Sequence, residues 1–362
     1  MQAALPETIS DAMPATVTVA LCPMCQSRRQ HLLFETQDRL HRLPGRFSLV
    51  QCDECGLLIL SPRPLPEGIG YYYPEASYYS YQFDLTPNPA LEGRPLLRWV
   101  RDGIRQSVLA RLGYPAANLG FGFRLLQPLL ALFFGKRALY SVNDFPRYVP
   151  GGRALEIGCG SGVYLACLKQ HGWQVAGVEL SAAAAQLGQE KWGLEIHTSE
   201  LSRATFPPAS FDYIRLSDVI EHLYDPVETL RLVSYFLKPG GQVFLQTPNA
   251  DCFGFEHWQS RWFGCDSPRH LYLFSPATLR RAVEAAGLRV ARLKTLPLLP
   301  GNYVTEFSYE FEAAHPTVTR SPRFQFQPGE RWQARKLALR AHWDCWRNPL
   351  RGEVIQCWVV GV

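Results

Sequence analysis

The stretch Arg153-Ala-Leu-Glu156-Ile-Gly158-Cys-Gly160-Ser-Gly162 decides how the rest of this 362-residue chain is read. Ala154 to Ile157 read as a short buried strand, and Val163 to Gln170 as the helix that follows it. Three glycines at alternate positions make the turn between them. Glycine accepts positive φ and lets a ligand approach the main chain, while the N-terminus of the new helix attracts anionic groups. A dinucleotide fingerprint G-x-G-x-x-G would need its third glycine at position 163, which is Val. Glu156, just ahead of the loop, would also repel a pyrophosphate. A ligand bearing an ammonium and a sulfonium would instead gain from that carboxylate.

Working outward, strand and helix signals alternate from Pro150 onward, the pattern of a parallel α/β sheet. Strands are expected at 153–157, 174–179, 194–197, 212–217, 242–247, 288–295 and 354–361. Helices are expected at 162–171, 182–191, 226–237 and 276–286. Ser181 and Ser275 read as N-caps, and Gly172, Gly193 and Gly287 mark helix exits. Glu179 ends the second strand, 23 positions after Glu156, where an acid can accept hydrogen bonds from both ribose hydroxyls. Phe211-Asp-Tyr-Ile-Arg-Leu-Ser217-Asp218-Val-Ile-Glu221-His222 supplies the fourth strand and its exit. Asp225-Pro226 opens a helix, and Leu237-Lys238-Pro239-Gly240-Gly241 leads into the fifth strand. His270-Leu-Tyr-Leu-Phe-Ser275-Pro-Ala-Thr-Leu279 and Glu284-Ala-Ala-Gly287 follow.

In register, E-x-G-x-G-x-G, Glu179, the Ser217-Asp218 segment and the Lys-Pro-Gly-Gly turn resemble the class I S-adenosylmethionine (SAM)-dependent methyltransferases over about residues 150–298. The segments after His270 resemble the subgroup that includes ubiquinone-type O-methyltransferases and many polysaccharide-cluster methyltransferases. The resemblance implies an α/β fold with a Rossmann-like seven-stranded methyltransferase sheet. It implies SAM as cofactor, held by Glu156, Gly158, Gly160, Gly162, Glu179, Glu200, Leu201, Ser217 and Asp218, with Glu200 and Leu201 at the adenine ring.

Methyl transfer from a sulfonium is an in-line displacement on an activated carbon. The enzyme must align the acceptor and, for a hydroxyl, remove a proton. His222 and His270 are the candidate bases, with Asp218 beside them. In ubiquinone-type relatives a cluster like Asp218, Glu221 and His222 is thought to hold a divalent ion, with Glu where this chain has Asp218. The alternative is that Asp218 faces the cofactor while Glu221 and His222 cap the next helix. No [Asn/Asp/Ser]-Pro-Pro-aromatic run follows the fourth strand, which argues against transfer to the amino nitrogen of a base. Thr247-Pro-Asn249 lies where it would shape an acceptor pocket.

Ahead of this core, Cys22-Pro-Met-Cys25 and Cys52-Asp-Glu-Cys55-Gly56 form two C-x-x-C knuckles separated by 26 residues. Each short turn presents two thiolates to one ion, so Cys22, Cys25, Cys52 and Cys55 are expected to hold structural Zn2+ in a zinc ribbon. Arg46 to Val50 would supply one of its strands, and Gly56 would relieve the tight second turn. The domain reading is a flexible lead at 1–20, the ribbon at 21–65, and a Tyr/Pro-rich linker with a basic apolar helical insert at 66–147. The SAM-binding core follows at 148–298, then a lid or substrate segment with the final core strand at 299–362.

The chain is 47% hydrophobic and 19% charged, with a formal charge of +5. Residues 94–147 hold nine basic and two acidic residues, a net +7, so the rest of the chain is net −2. That insert reads either as a peripheral membrane contact or as a helical cap with solvated arginines. The tyrosines of 61–89 read as packing of a small module, or as a stacking surface. With no leader pattern and no apolar run near the ~20 residues needed to span a bilayer, the expected location is the cytoplasm, with peripheral membrane association left open. The expected activity is SAM-dependent methyl transfer to a small-molecule, sugar or lipid-linked glycan acceptor, at a hydroxyl. The alternatives are an RNA methyltransferase gripping RNA through the ribbon and basic insert, and a non-catalytic SAM-binding protein.

Overall fold

The computed structural model describes residues 13–74, 95–115, 144–201, 206–297 and 328–361. The short strands β1 (Thr16–Val17), β2 (Gln30–Thr36), β3 (Phe47–Cys52), β4 (Leu58–Leu60) and β5 (Arg63–Pro64) come first, then helix α1 (Pro95–Arg111). The alternating part is β6 (Arg153–Ile157), α2 (Val163–Gln170), β7 (Gln174–Glu179), α3 (Ala182–Trp192), β8 (Glu195–Thr198) and β9 (Phe211–Ser217). It continues through α4 (Pro226–Phe236), β10 (Leu237–Pro248), α5 (Phe253–Trp258), β11 (Tyr272–Leu273), α6 (Pro276–Ala285) and β12 (Leu288–Leu296). Helix α7 (Pro328–Arg347) and β13 (Val354–Gly361) close the chain.

A seven-stranded sheet runs in the order β12-β13-β10-β9-β6-β7-β8. Pairing is parallel between β6 and β7 and between β7 and β8, and antiparallel between β12 and β13. Chain order reverses beside β6, and in open α/β sheets ligands bind outside the carboxyl ends of the strands at such a switch point. The expected caps are present: Ser181 accepts from Ala184 N, and Ser275 forms a capping box with Thr278. The fifth strand is longer than its sequence suggests, because the Lys-Pro-Gly-Gly segment belongs to β10.

The chain divides into two compact units. One comprises Tyr79–Arg215 and Tyr235–Phe244, the other Met1–Tyr78, Leu216–Ser234 and Leu245–Val362. In the former, Leu155, Ile157, Leu165, Leu168, Ala176 and Val178 are buried between strands and helices. Val100, Ile104 and Leu109 of α1 are buried as well, while Trp99 is exposed. The apolar run Phe121 to Phe134 and the Tyr78-to-Tyr81 cluster lie outside the described residues.

In the latter unit, a four-stranded sheet runs β11-β4-β3-β2. Its edge strand β11 comes from the His270-to-Ser275 motif and pairs antiparallel with β4, Tyr272 opposite Ile59. The cysteine module therefore continues directly into the segment that carries His270.

Candidate active site

Glu156 is buried on β6, and its Oε1 is ion-paired with Arg215 of β9. Arg215 also reaches Asp144 at 2.7 Å, and its guanidinium lies 4.1 Å from the centre of the Tyr164 ring. Burial pushes the Glu156 carboxyl up to about 7, although Arg215 pulls the other way. Burial alone would lower Arg215, but the charges of Glu156 and Asp144 outweigh it and hold the guanidinium protonated. Glu156 Oε2 is buried and has no hydrogen-bond partner among the described residues. Such an orphaned acceptor suits a cationic N–H donor, as the ammonium of SAM would be.

The glycine loop turns because Gly158, Gly160 and Gly162 hold φ of 65°, 53° and 71°. A Cβ on Gly162 would fall 2.3 Å from Leu194 Cδ1, so space as well as φ demands glycine there. Glu179, at the end of β7, braces this loop: Gly160 N donates to Oε2 and Ser181 N to Oε1, both at 2.8 Å. Each of those oxygens retains a second acceptor site for a ribose hydroxyl. Beyond β8, Glu200 is exposed and Leu201 buried.

The exit of β9 gathers a second set of groups. Asp218 is exposed, with φ 56°, a conformation that costs a non-glycine residue of order 1–3 kcal/mol and clusters at functional sites. Gln246 Nε2 donates to Ser217 Oγ at 3.1 Å and to Asp218 Oδ2 at 2.9 Å. Glu221 is buried; its Oε2 accepts from Thr247 Oγ1 at 2.9 Å, and its Oε1 has no hydrogen-bond partner among the described residues. Burial, followed by the Asp218 charge, pushes its carboxyl well up.

His222 and His270 meet edge to face, ring centres 4.6 Å apart. His222 Nδ1 lies 3.0 Å from the carbonyl oxygen of Arg269, and His270 Nδ1 lies 2.7 Å from that of Gly264. A carbonyl only accepts, so both Nδ1 atoms carry the proton and both Nε2 atoms keep a lone pair. Burial lowers both imidazoles, His222 to about 3 with His270 as the second cause, so the pair is neutral at neutral pH. Tyr73 Oη stands 3.0 Å from His222 Nδ1. The carbonyl that orients His222 is itself clamped. The Arg269 side chain is fully buried, held by Asp266 at 2.6 Å, by Asp38 at 2.8 Å and by the Tyr72 carbonyl at 3.0 Å.

The structure thus departs from the sequence reading at two points. The ligand-bearing atoms that lie within 4.8 Å of one another belong to Glu221, His222 and His270, and Asp218 is outside that group. Nor do Glu221 and His222 cap the next helix. Asp225 does so, accepting from Glu228 N at 2.8 Å, because Glu221 and His222 lie in a short 3-10 turn directed into the protein. Sequence reasoning passed over Tyr73, Gln246, Arg215 and Arg269. For Arg215 a signal existed: an arginine inside the apolar strand Tyr213-Ile-Arg-Leu216 is a charge that burial forces into a pair.

The four knuckle cysteines converge. Cys22 and Cys55 Sγ are 3.5 Å apart, as are Cys25 and Cys52 Sγ, and all four lie within 4.8 Å of one another. A tetrahedral zinc site with Zn–S near 2.3 Å has sulfur–sulfur edges of about 3.8 Å. Gly56 has φ 77°, which lets its N–H return to the Cys52 carbonyl at 2.9 Å.

A family model described as a methyltransferase domain matches residues 123–293. The ubiquinone biosynthesis O-methyltransferase of Azoarcus sp. (strain BH72) is 30% identical over 165 residues, 41% of this chain and 70% of that protein. The enzyme of the same name from Aeromonas salmonicida (strain A449) is 28% identical over 163 residues, covering 41% and 68%. That from Stutzerimonas stutzeri (strain A1501) is 34% identical over 105 residues, only 45% of its length. Among solved structures, a SAM-dependent methyltransferase from Thermotoga maritima aligns with TM-score 0.40 at 18% identity, covering 66% of this chain and 98% of that one.

Proposed function

The chain belongs to the class I SAM-dependent methyltransferases, and we propose that it methylates a hydroxyl of a small-molecule, sugar or lipid-linked glycan acceptor. SAM supplies an electrophilic methyl group. Glu156, Gly158, Gly160, Gly162 and Glu179 would hold it, with Glu200, Leu201, Ser217 and Asp218 as further contacts.

The observation that carries the hydroxyl assignment is the neutral pair of half-buried His222 and buried His270, each ring anchored through Nδ1 with its Nε2 lone pair available. An imidazole so lowered is a weak base towards a free alcohol. As a new C–O bond forms, however, the acceptor O–H becomes strongly acidic, and a positioned weak base is then sufficient. With those lone pairs committed instead to a metal, Glu221, His222 and His270 would form a nitrogen and oxygen donor set that suits a divalent ion, and the orphaned Glu221 Oε1 fits that use. The four-cysteine cluster is assigned to structural zinc.

The test uses methyl-labelled SAM and the intact protein with lipid, glycan, small-molecule and RNA pools of cell extract. Label in alkali-stable ether linkages of the first three pools is the expected result. Label confined to RNA would replace this reading with an RNA methyltransferase, and SAM binding without any transfer would reduce it to a SAM-binding protein.

A further inference from the structure

Helix α7 presents its faces in the reverse of the usual order. Its small residues Ala334, Ala338, Ala341 and Cys345 are buried against their own unit. Its bulky apolar residues point outward: Trp332 is 57% exposed, Leu339 62%, Trp343 61% and Trp346 73%. At 3.6 residues per turn, these four fall within an arc of about 60°. Leu350, past the helix end, is exposed as well. Trp343 and Trp346 pack with ring centres 5.0 Å apart, and Lys336 Nζ lies 3.3 Å over the Trp332 ring.

The borders of the stripe are cationic. Arg335 lies on one side, and Lys336, Arg340 and Arg347 on the other; all four are exposed. The one acid between Trp332 and Arg347, Asp344, lies off the stripe and is ion-paired with Arg351. A folded chain gains nothing in water from three exposed tryptophans on one helix face, since burying each would remove a large apolar area. Tryptophans flanked by Lys and Arg are, however, the composition that seats a helix at a membrane–water interface, with rings at headgroup depth and cations on the phosphates.

We propose that α7 docks this protein onto anionic phospholipid bilayers, lying flat with Trp332, Leu339, Trp343 and Trp346 inserted and Arg335, Lys336, Arg340 and Arg347 on headgroup phosphates. No helix among the described residues is long and apolar enough to cross a membrane, so the attachment is peripheral. The site differs from the basic stretch 94–147, where Val100, Ile104 and Leu109 of α1 are already buried. It does not depend on which acceptor is methylated.

The experiment is flotation of the full chain with vesicles of phosphatidylcholine alone and with phosphatidylglycerol added, at low and high salt. The expected result is salt-sensitive binding to the anionic vesicles. It should fall at least tenfold in Trp343→Ser/Trp346→Ser and about fivefold for each cation removed in Arg335→Gln/Arg340→Gln. Quenching of the wild-type tryptophans by brominated lipid would locate the insertion. Because the substituted side chains are exposed, the variants should keep the wild-type unfolding temperature, and the arginine pair provides an independent reading should the tryptophan pair misfold. Absence of binding at low salt, or binding unchanged in both variants, would overturn the proposal. So would a wild-type dimer that the tryptophan variant splits and that ignores vesicles, which would make the stripe an interface between copies.

Discussion

His222 is placed by its neighbours and not by its own 3-10 turn. Its Nδ1 is fixed by the Arg269 carbonyl, and Arg269 is fixed by Asp266 and Asp38, so the ring has one orientation and one tautomer. Exchange for Gln keeps a polar side chain there but supplies no basic nitrogen. His222→Gln should lower kcat by about 10^2- to 10^4-fold while leaving the Kd for SAM within a factor of two, as measured by single-turnover kinetics and calorimetry. A comparable loss of SAM affinity would assign His222 to donor binding instead. The pH dependence follows from the same burial. The folded His222 is depressed to about 3 against about 6.5 for an unfolded histidine, so the folded state binds fewer protons. Its contribution to stability is therefore complete above pH 6.5 and is lost as pH falls from there toward 3. Acid titrations of stability should show this limb, and His222→Gln should flatten it. Between pH 5 and 8, kcat should show no inflection near 6.5 attributable to His222.

At the scale of elements, the glycine loop and the strand ends were the most legible parts of the sequence. Alternating buried strands and capped helices leave short-range marks, such as Ser181, Ser275 and the exit glycines, and the observed boundaries differ from those marks by only a residue or so for most elements. Elements set by distant partners left no such mark. Strand β11 has two residues and exists because β4 offers an edge; Asp225 takes over the cap of α4 because Glu221 is drawn inward by Thr247. The loop itself gives a sharp test at Gly162. Alanine there must adopt φ near 71° and displace Leu194, combining backbone strain of about 1–2 kcal/mol with a core clash. Gly162→Ala should lower stability by about 1–4 kcal/mol in urea titrations and weaken SAM at least tenfold, with no change in zinc content. Wild-type SAM affinity in a stable variant would remove the loop from the donor site.

For the whole molecule, the C-x-x-C spacing announced a four-cysteine module, proposed above to hold zinc, but not what that module is attached to. The attachments are long-range: β11 on β4, Leu60 N on the Leu271 carbonyl at 2.9 Å, and Asp38 on Arg269. Through them the cysteine module holds the segment Asp266–Leu273, and with it His270 itself and the Arg269 carbonyl that orients His222. A structural zinc site contributes folding free energy outright, on the order of 10 kcal/mol in small peptides, and its loss frees the strands it fastens. Removing the metal should therefore act on methyl transfer before it acts on SAM binding, since most of the proposed SAM contacts, Glu156, Gly160 and Glu179 among them, belong to the other unit and only Ser217 and Asp218 share the unit of the cysteines. The purified chain should carry one zinc. Chelation, or Cys22→Ser, should lower the unfolding temperature and cut kcat at least tenfold while the Kd for SAM stays within about threefold. Adding back Zn2+ alone should restore kcat to the chelated wild type. If Mg2+ or Mn2+ were needed as well, the second ion would belong to Glu221, His222 and His270, and Glu221→Gln should weaken the response of kcat to that ion without releasing zinc. Protein free of zinc yet fully active would refute the coupling.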